Sequence, residues 1–187
     1  MNVIIFGPPG AGKGTQAQNI AKKFNLHQIS TGDLLRNEVK NQTDIGKDIE
    51  NIISKGDFAT DEIVNDLIRK VIFDPKNKNN LIFDGYPRSL SQAKNLDILL
   101  ASSNQKIHFI FFLNVKKEAI IKRIEKRKYL EKRSDDNLKT ILKRYETYME
   151  TTKPVLDFYS KNSNFYEIDG SGKIDEIFNK IEEILSV

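Results

Sequence analysis

The sequence predicts an α/β domain: a parallel sheet covered by helices on both faces. Two observations carry that expectation. Short apolar runs alternate along the chain with stretches whose apolar residues recur at helical spacing. A glycine-rich turn joins the first run to the first helical stretch, the context in which a phosphate-binding loop is built.

The apolar runs are Val3–Phe6, a weaker one at His27–Ile29, then Leu81–Phe83, Ile107–Leu113 and Phe165–Ile168. Each is short and near-continuous, as expected of a strand buried on both faces. Gln16–Phe24 reads as the first helix. In the next, Ile63, Val64, Leu67, Ile68, Val71 and Ile72 share one face behind Thr60, an expected N-cap. Leu138, Ile141, Leu142, Tyr145 and Met149 form a second face, and Ile174, Ile177, Phe178, Ile181 and Ile184 a third. The polar stretch 74–80, with Pro75 near its start, reads as a surface loop because a strand pattern follows at once.

The 187 residues suit one domain with a sizeable core. The absence of cysteine excludes disulfides, thiolate zinc sites, iron–sulfur clusters and a cysteine nucleophile. Two histidines, His27 and His108, are too few for a histidine-rich metal site, and neither is expected to be catalytic. The formal net charge of +4 fits an anionic ligand as well as nucleic acid. Apolar stretches such as Phe109–Leu113 fall far short of the roughly 20 residues of a membrane span. The N-terminal run leads into glycines instead of a cleavage site, so a cytoplasmic protein is expected.

Four of the ten glycines fall in Gly7-Pro8-Pro9-Gly10-Ala11-Gly12-Lys13-Gly14-Thr15. Glycines let backbone N–H groups turn toward a phosphate, and the following helix adds the positive end of its dipole. Lys13 supplies a mobile point charge. The segment follows the P-loop pattern through Lys13; Gly14 then displaces the expected hydroxyl by one position, to Thr15.

Further clusters follow the later strands. Ser30-Thr31-Gly32-Asp33-Leu34-Leu35-Arg36 comes after the second and Phe83-Asp84-Gly85-Tyr86-Pro87-Arg88 ends the third, with Gln92 beyond. Each has a local alternative. Ser30 or Thr31 suits a helix N-cap. Ser89–Gln92 matches a capping box in which Gln92 folds back on the Ser89 N–H. Asp84 suits a strand-end turn, and Arg36 and Arg88 suit a solvated surface. Lys122–Arg133 holds seven basic and two acidic residues, the pattern of a solvated face or an RNA-binding stripe, but Tyr129 is its one aromatic.

Together with Arg123, Arg127, Arg133-Ser134-Asp135-Asp136 and Arg144, these segments resemble the nucleoside monophosphate kinases, most closely the adenylate kinase family, over essentially the whole chain. The resemblance implies reversible phosphoryl transfer from ATP to AMP, giving two ADP. It places ATP on Gly10, Ala11, Gly12, Lys13, Gly14, Thr15, Arg123, Arg127 and, through its backbone, Gly172. It places AMP on Thr31, Arg36, the backbone of Asp57, Phe58 and Ala59, then Gly85, Tyr86, Pro87, Arg88 and Gln92, with Arg133 and Arg144 on the phosphates. Lys13, Arg88, Arg123, Arg133 and Arg144 become the catalytic cations. Mg2+ would bind with ATP, oriented through water by Asp84, with no structural zinc.

It also implies a P-loop three-layer fold with a five-stranded parallel sheet: core 1–29, 60–126 and 137–187, a helical nucleotide-binding insertion 30–59 and a short lid 127–136. In the insertion, Ile45, Ile49, Ile52 and Ile53 give the second helix an apolar face, with Gly56 as its stop. The expected partners are ATP and AMP or ADP, without nucleic acid or membrane, for a monomer. The rival within the class is a UMP/CMP kinase, against which Thr31 and Gln92 favour adenine. A P-loop GTPase-type switch lacks its guanine-reading aspartate, since Asn77-Lys78-Asn79-Asn80 ends on asparagine. A nucleic-acid-binding module leaves Thr31–Arg36 and Asp84–Gln92 unexplained.

Overall fold

The computed structural model describes residues 1–55, 57, 59–131 and 138–186, with side chains for all of these but 53, 54, 126–131 and 138. Five strands, β1 Val3–Phe6, β2 His27–Ser30, β3 Leu81–Asp84, β4 Phe109–Asn114 and β5 Phe165–Asp169, form one parallel sheet in the order β2-β3-β1-β4-β5. Successive side chains of β1 point to opposite faces and join separate cores. Ile4 and Phe6 pack with Phe83, Leu96, Val155 and Tyr159 on one side; Val3 and Ile5 pack with Ala17, Ile20, Phe111 and Ile181 on the other. This is the expected α/β architecture.

Nine α-helices lie among the described residues: α1 Lys13–Phe24, α2 Thr31–Lys40, α3 Asp44–Ser54, α4 Asp61–Ile72, α5 Leu90–Ser102, α6 Lys117–Glu131, α7 Leu138–Thr147, α8 Lys153–Tyr159 and α9 Ile174–Leu185. A 3₁₀ turn, Pro75–Asn77, sits in the expected surface loop, and a π-helical turn, Tyr148–Thr152, joins α7 to α8. Thr60 caps α4, its hydroxyl accepting from the Ile63 N–H at 3.5 Å. Ile49 of α3 is fully buried in the same core as Leu35 of α2 and Ala59, so the insertion packs as part of the domain.

Several expectations shift. Strands β2, β3, β4 and β5 each run one residue past the apolar run, because Ser30 pairs with Asp84 and Asn114 with Asp169 along the ladder. That extension carries Asp84 to the sheet's C-terminal edge. Strand β4 starts at Phe109, two residues later than the run; the preceding His108 accepts the Asn2 N–H through Nδ1. Met149 and Ile174 are exposed, not buried. Ile141 and Tyr145 keep the expected apolar face packed on the core, but Thr140, Arg144, Tyr148 and Thr152, spaced four apart, also turn inward, and three of them are less than 9% exposed. Ile174 is the first residue of α9, whose buried stripe is Ile177, Ile181 and Leu185.

Candidate functional site

The C-terminal ends of β1 and β3 meet at the position where the chain changes direction across the sheet, the place where open α/β sheets hold ligands. The loop leaving β1 packs onto itself, with the Ala11 N–H donating to the Pro8 carbonyl at 3.1 Å. Gly12 stands just before α1 with φ +95°, a left-handed backbone that favours glycine. No described atom lies within 4 Å of where its Cβ would be, so the entrance to the helix faces open space. Helix α1 therefore starts at Lys13, three residues earlier than its apolar pattern. Its N-terminal N–H groups form a ready anion cradle. Lys13 Nζ arches back over the loop, donating to the carbonyls of Gly7 at 2.8 Å and Pro8 at 3.0 Å. Gly14 lies against Asp84, and Thr15 is exposed on the first turn.

Arg123 of α6 ties this loop to the turn after β5. It donates to the carbonyls of Ala11 at 3.1 Å and Gly170 at 2.7 Å, with Gly172 O at 3.5 Å. Gly10 packs against Ile120 and Ile124 of the same helix, so α6 fixes the loop from behind.

Across the cleft, the turn after β3 gathers the second cluster. Gly85 has φ +78°. Its carbonyl accepts from Thr31 Oγ1 at 2.8 Å and Arg88 Nε at 2.7 Å, and Arg88 Nη2 reaches Thr31 Oγ1 at 3.4 Å. Ser30, not Thr31, is the N-cap of α2, leaving Thr31 to face this turn. Burial pushes the Arg88 guanidinium down to about 10; the like charges of Arg144 and Arg36 act in the same direction, against Asp84. Burial likewise raises the Asp84 carboxyl above its ordinary range, opposed by Lys13 and Arg88. A site where cations crowd and disfavour one another is built for an anion they share. Lys13, Gly85, Pro87, Arg88 and Arg144 line one cavity of about 50 Å³ between the two clusters.

Gln92 is buried and only half obeys the capping-box expectation. The Ser89 hydroxyl accepts the Gln92 N–H, but Gln92 Oε1 accepts from the Arg88 N–H at 2.7 Å, and Nε2 donates to Asp61 at 2.7 Å. An amide has two donors and two lone pairs, so one of each remains for a base. Tyr86 is fully buried and donates to Asn65 at 2.7 Å, a structural position. Arg36 pairs with Asp33 at 2.5 Å on α2. Asp57 donates its N–H to Ile52 O and pairs with Lys143 of α7 at 2.6 Å, beside Arg144; Ala59 is buried. Phe58, Arg133, the Arg127 side chain, the stop at Gly56 and residues 132–136 of the lid lie outside the described residues; α6 continues through 127 to Glu131.

Sequence reasoning missed Asp61, Tyr148 and Thr152. Asp61 reads as an ordinary first-turn acid, and nothing in its spacing points across to Gln92. Tyr148 and Thr152 stand four and eight residues beyond Arg144, a signal hidden by the apolar residues beside them.

The adenylate kinase family model matches residues 5–164. A curated adenylate kinase of Pelagibacter ubique is 53% identical over 213 aligned positions covering all of both chains. One from Parabacteroides distasonis is 41% identical over 186 positions, all of this chain and 98% of the relative. One from Archaeoglobus fulgidus is 35% identical over 212 positions, covering 99% and 98%. The first and third alignments exceed this chain's 187 residues, so those relatives carry segments it lacks. With the phosphate loop, the Thr31–Gly85–Arg88 cluster and the strand order all in place beneath these matches, the chain belongs to the adenylate kinase family.

Proposed function

We propose that this protein transfers the terminal phosphoryl group of ATP to AMP, reversibly, giving two ADP. The observation that carries the proposal is the convergence of Lys13, Arg88 and Arg144 on one cavity, with Thr31 and Gly85 fixing Arg88 there. ATP occupies Gly10–Thr15, met by Arg123 and Arg127, with the backbone of Gly172 near the adenine. AMP lies against Thr31, Arg36, Asp57–Ala59, Gly85–Arg88 and Gln92, with Arg133 and Arg144 on the phosphates. An oxygen of the AMP phosphate forms a bond to the terminal phosphorus of ATP while the bond to the bridging oxygen breaks, leaving ADP on both sides. The attacking phosphate is already ionised, so no general base is required. Catalysis is positioning plus charge stabilisation in a water-poor cleft.

Mg2+ fits the donor set. Asp84 is a carboxylate beside Lys13 and Gly14, and no group of three metal-ligating side chains exists among the described residues. That suits a cation coordinated mainly by substrate and water, which neutralises phosphate charge when bound. Asp84 would hold its water shell, and with no cysteine in the chain a thiolate zinc site cannot form. The lid 127–136 closes over ATP and the insertion 30–59 over AMP, excluding water that would otherwise take the phosphoryl group. The protein acts as a cytoplasmic monomer. Among the described residues no helix is long and apolar enough to cross a membrane.

The test is to incubate the protein with Mg-ATP and, separately, AMP, CMP, UMP or GMP, and quantify diphosphates. Two ADP per AMP consumed is expected; no ADP above an ATP-only control overturns the proposal.

Two variants probe the cleft. An alanine Cβ at Gly85 would stand 2.9 Å from Arg88 Nη2 and 3.1 Å from Thr31 Oγ1, on a left-handed backbone. Gly85→Ala is expected to raise the KM for AMP about tenfold, the worth of one displaced charge-assisted contact, while the KM for ATP changes less than about twofold. Steady-state titration of each nucleotide checks this.

Asp84→Asn separates stability from activity. A carboxyl raised in the folded state favours folding below the unfolded value of 3.8 and loses that contribution as pH rises through the folded value. At neutral pH the ionised group is therefore a net cost. The amide variant is expected to melt at a higher temperature than wild type at pH 7, yet to lose Mg-dependent turnover. A lower Tm at pH 7 would count against it.

A further inference from the structure

Three tyrosines, Tyr86, Tyr148 and Tyr159, are more than nine-tenths buried. Two have partners: Tyr86 donates to Asn65 at 2.7 Å, and Tyr159 donates to Asp97 at 3.2 Å. The Tyr148 hydroxyl is buried and has no hydrogen-bond partner among the described residues. A buried hydroxyl left unsatisfied is expensive, and such groups persist where a ligand or water completes them.

Its position says which ligand. Tyr148 lines the same cavity as Lys13, Gly85, Arg88 and Arg144, and Thr152 lines it one step further along. Thr152 Oγ1 donates to the Arg88 carbonyl at 3.0 Å, which locks the Tyr148–Thr152 segment onto the arginine-bearing turn. That segment is a π-helical turn, a departure from α-helix that recurs at functional sites. The stripe Arg144, Tyr148, Thr152 therefore lines the cleft with polar residues where an ordinary core helix would present aliphatic ones. Burial also holds the phenol well above its usual value, so the group keeps its proton and serves as a donor. A neutral donor among three cations is complementary to an oxygen that carries negative charge and accepts several hydrogen bonds at once.

We propose that Tyr148 is a substrate-contacting residue whose hydroxyl donates a hydrogen bond to a phosphoryl oxygen held between Lys13, Arg88 and Arg144. The proposal rests on the site assigned above and adds to it a neutral contact.

The experiment compares wild-type protein with Tyr148→Phe, which keeps the ring and removes the donor. Phosphoryl transfer from Mg-ATP to AMP is followed in the first turnover, so that product release does not mask the step, and thermal unfolding of each ligand-free protein is recorded. A first-turnover rate about 10–100-fold lower is expected, the effect of losing a hydrogen bond to a charged acceptor, with the ligand-free Tm unchanged or raised because no internal bond is broken. A fall of less than about fivefold overturns the proposal. So does a lowered Tm, which would mean that the hydroxyl has a partner within the protein. Inactive wild-type protein would instead overturn the assigned function, so the two failures are distinguishable.

Discussion

Lys13→Met is expected to lower kcat/KM by about 10³-fold with the fold retained. The magnitude is that of removing one preorganised charge stabiliser from a water-excluded site. Lys13 Nζ sits 2.8 Å from Gly7 O and 3.0 Å from Pro8 O, so the loop itself holds the ammonium over the cradle at the start of α1. Methionine matches the length of the stem and has no charge. It still packs across the loop, whose shape comes from Gly12 and the Ala11–Pro8 hydrogen bond. The loss should fall on kcat more than on the KM for ATP, because the charge acts on oxygens that gain negative charge during transfer. Far-ultraviolet circular dichroism and Tm should match wild type. Turnover within tenfold of wild type would remove Lys13 from the catalytic cations.

The variant also shows what was legible before the structure. The glycine loop, Lys13 and the strand and helix on either side of it are local: their spacing in sequence is their spacing in space, so they could be read directly. The same holds for β1 and β3, because strands buried on both faces must be apolar, whereas the edge strands β2 and β5 are only partly buried and mix polar residues into the run. The pairing of Thr31 with Gly85 joins residues 54 apart, and only the order β2-β3-β1 brings them together. The resemblance gave both residues roles, but not the hydrogen bond between them. Least legible was the inner face of α7. Apolar periodicity assumes that the buried side of a helix is its greasy side. Around Arg144 the buried side faces an anion site, so the rule selected Met149 and passed over Tyr148. The capping-box alternative for Gln92 holds only in half, for a related reason. The capping box describes what a helix end does alone, and Asp61 on another helix drew the amide away.

Arg88→Ala is expected to cost about as much as the lysine change or more, about 10³-fold or greater in kcat/KM, and to reveal a different division of labour. Arg88 is held by the Gly85 carbonyl at 2.7 Å and by Thr31, and is crowded by Arg144 and Arg36. Burial and like charge both disfavour its cation in the ligand-free protein, so removing it relieves an electrostatic cost while losing packing. These effects oppose each other, and the Tm should move by less than about 4 °C, the shift of roughly 1 kcal/mol at this chain length. Activity has no such offset, because a phosphate that needs the guanidinium finds nothing in its place. Arg88→Lys should not rescue it. One ammonium cannot bond Gly85 O and Thr31 Oγ1 and still offer phosphate a planar fork. Both variants should raise the KM for AMP as well as lower kcat, since Arg88 stands on the AMP side of the cleft with Thr31. Lys13→Met, on the ATP side, should leave the KM for AMP within about threefold. Steady-state titrations of both nucleotides for the three variants would check this division. If lysine at position 88 restored activity to within tenfold of wild type, the charge and not the fork would be what the reaction requires.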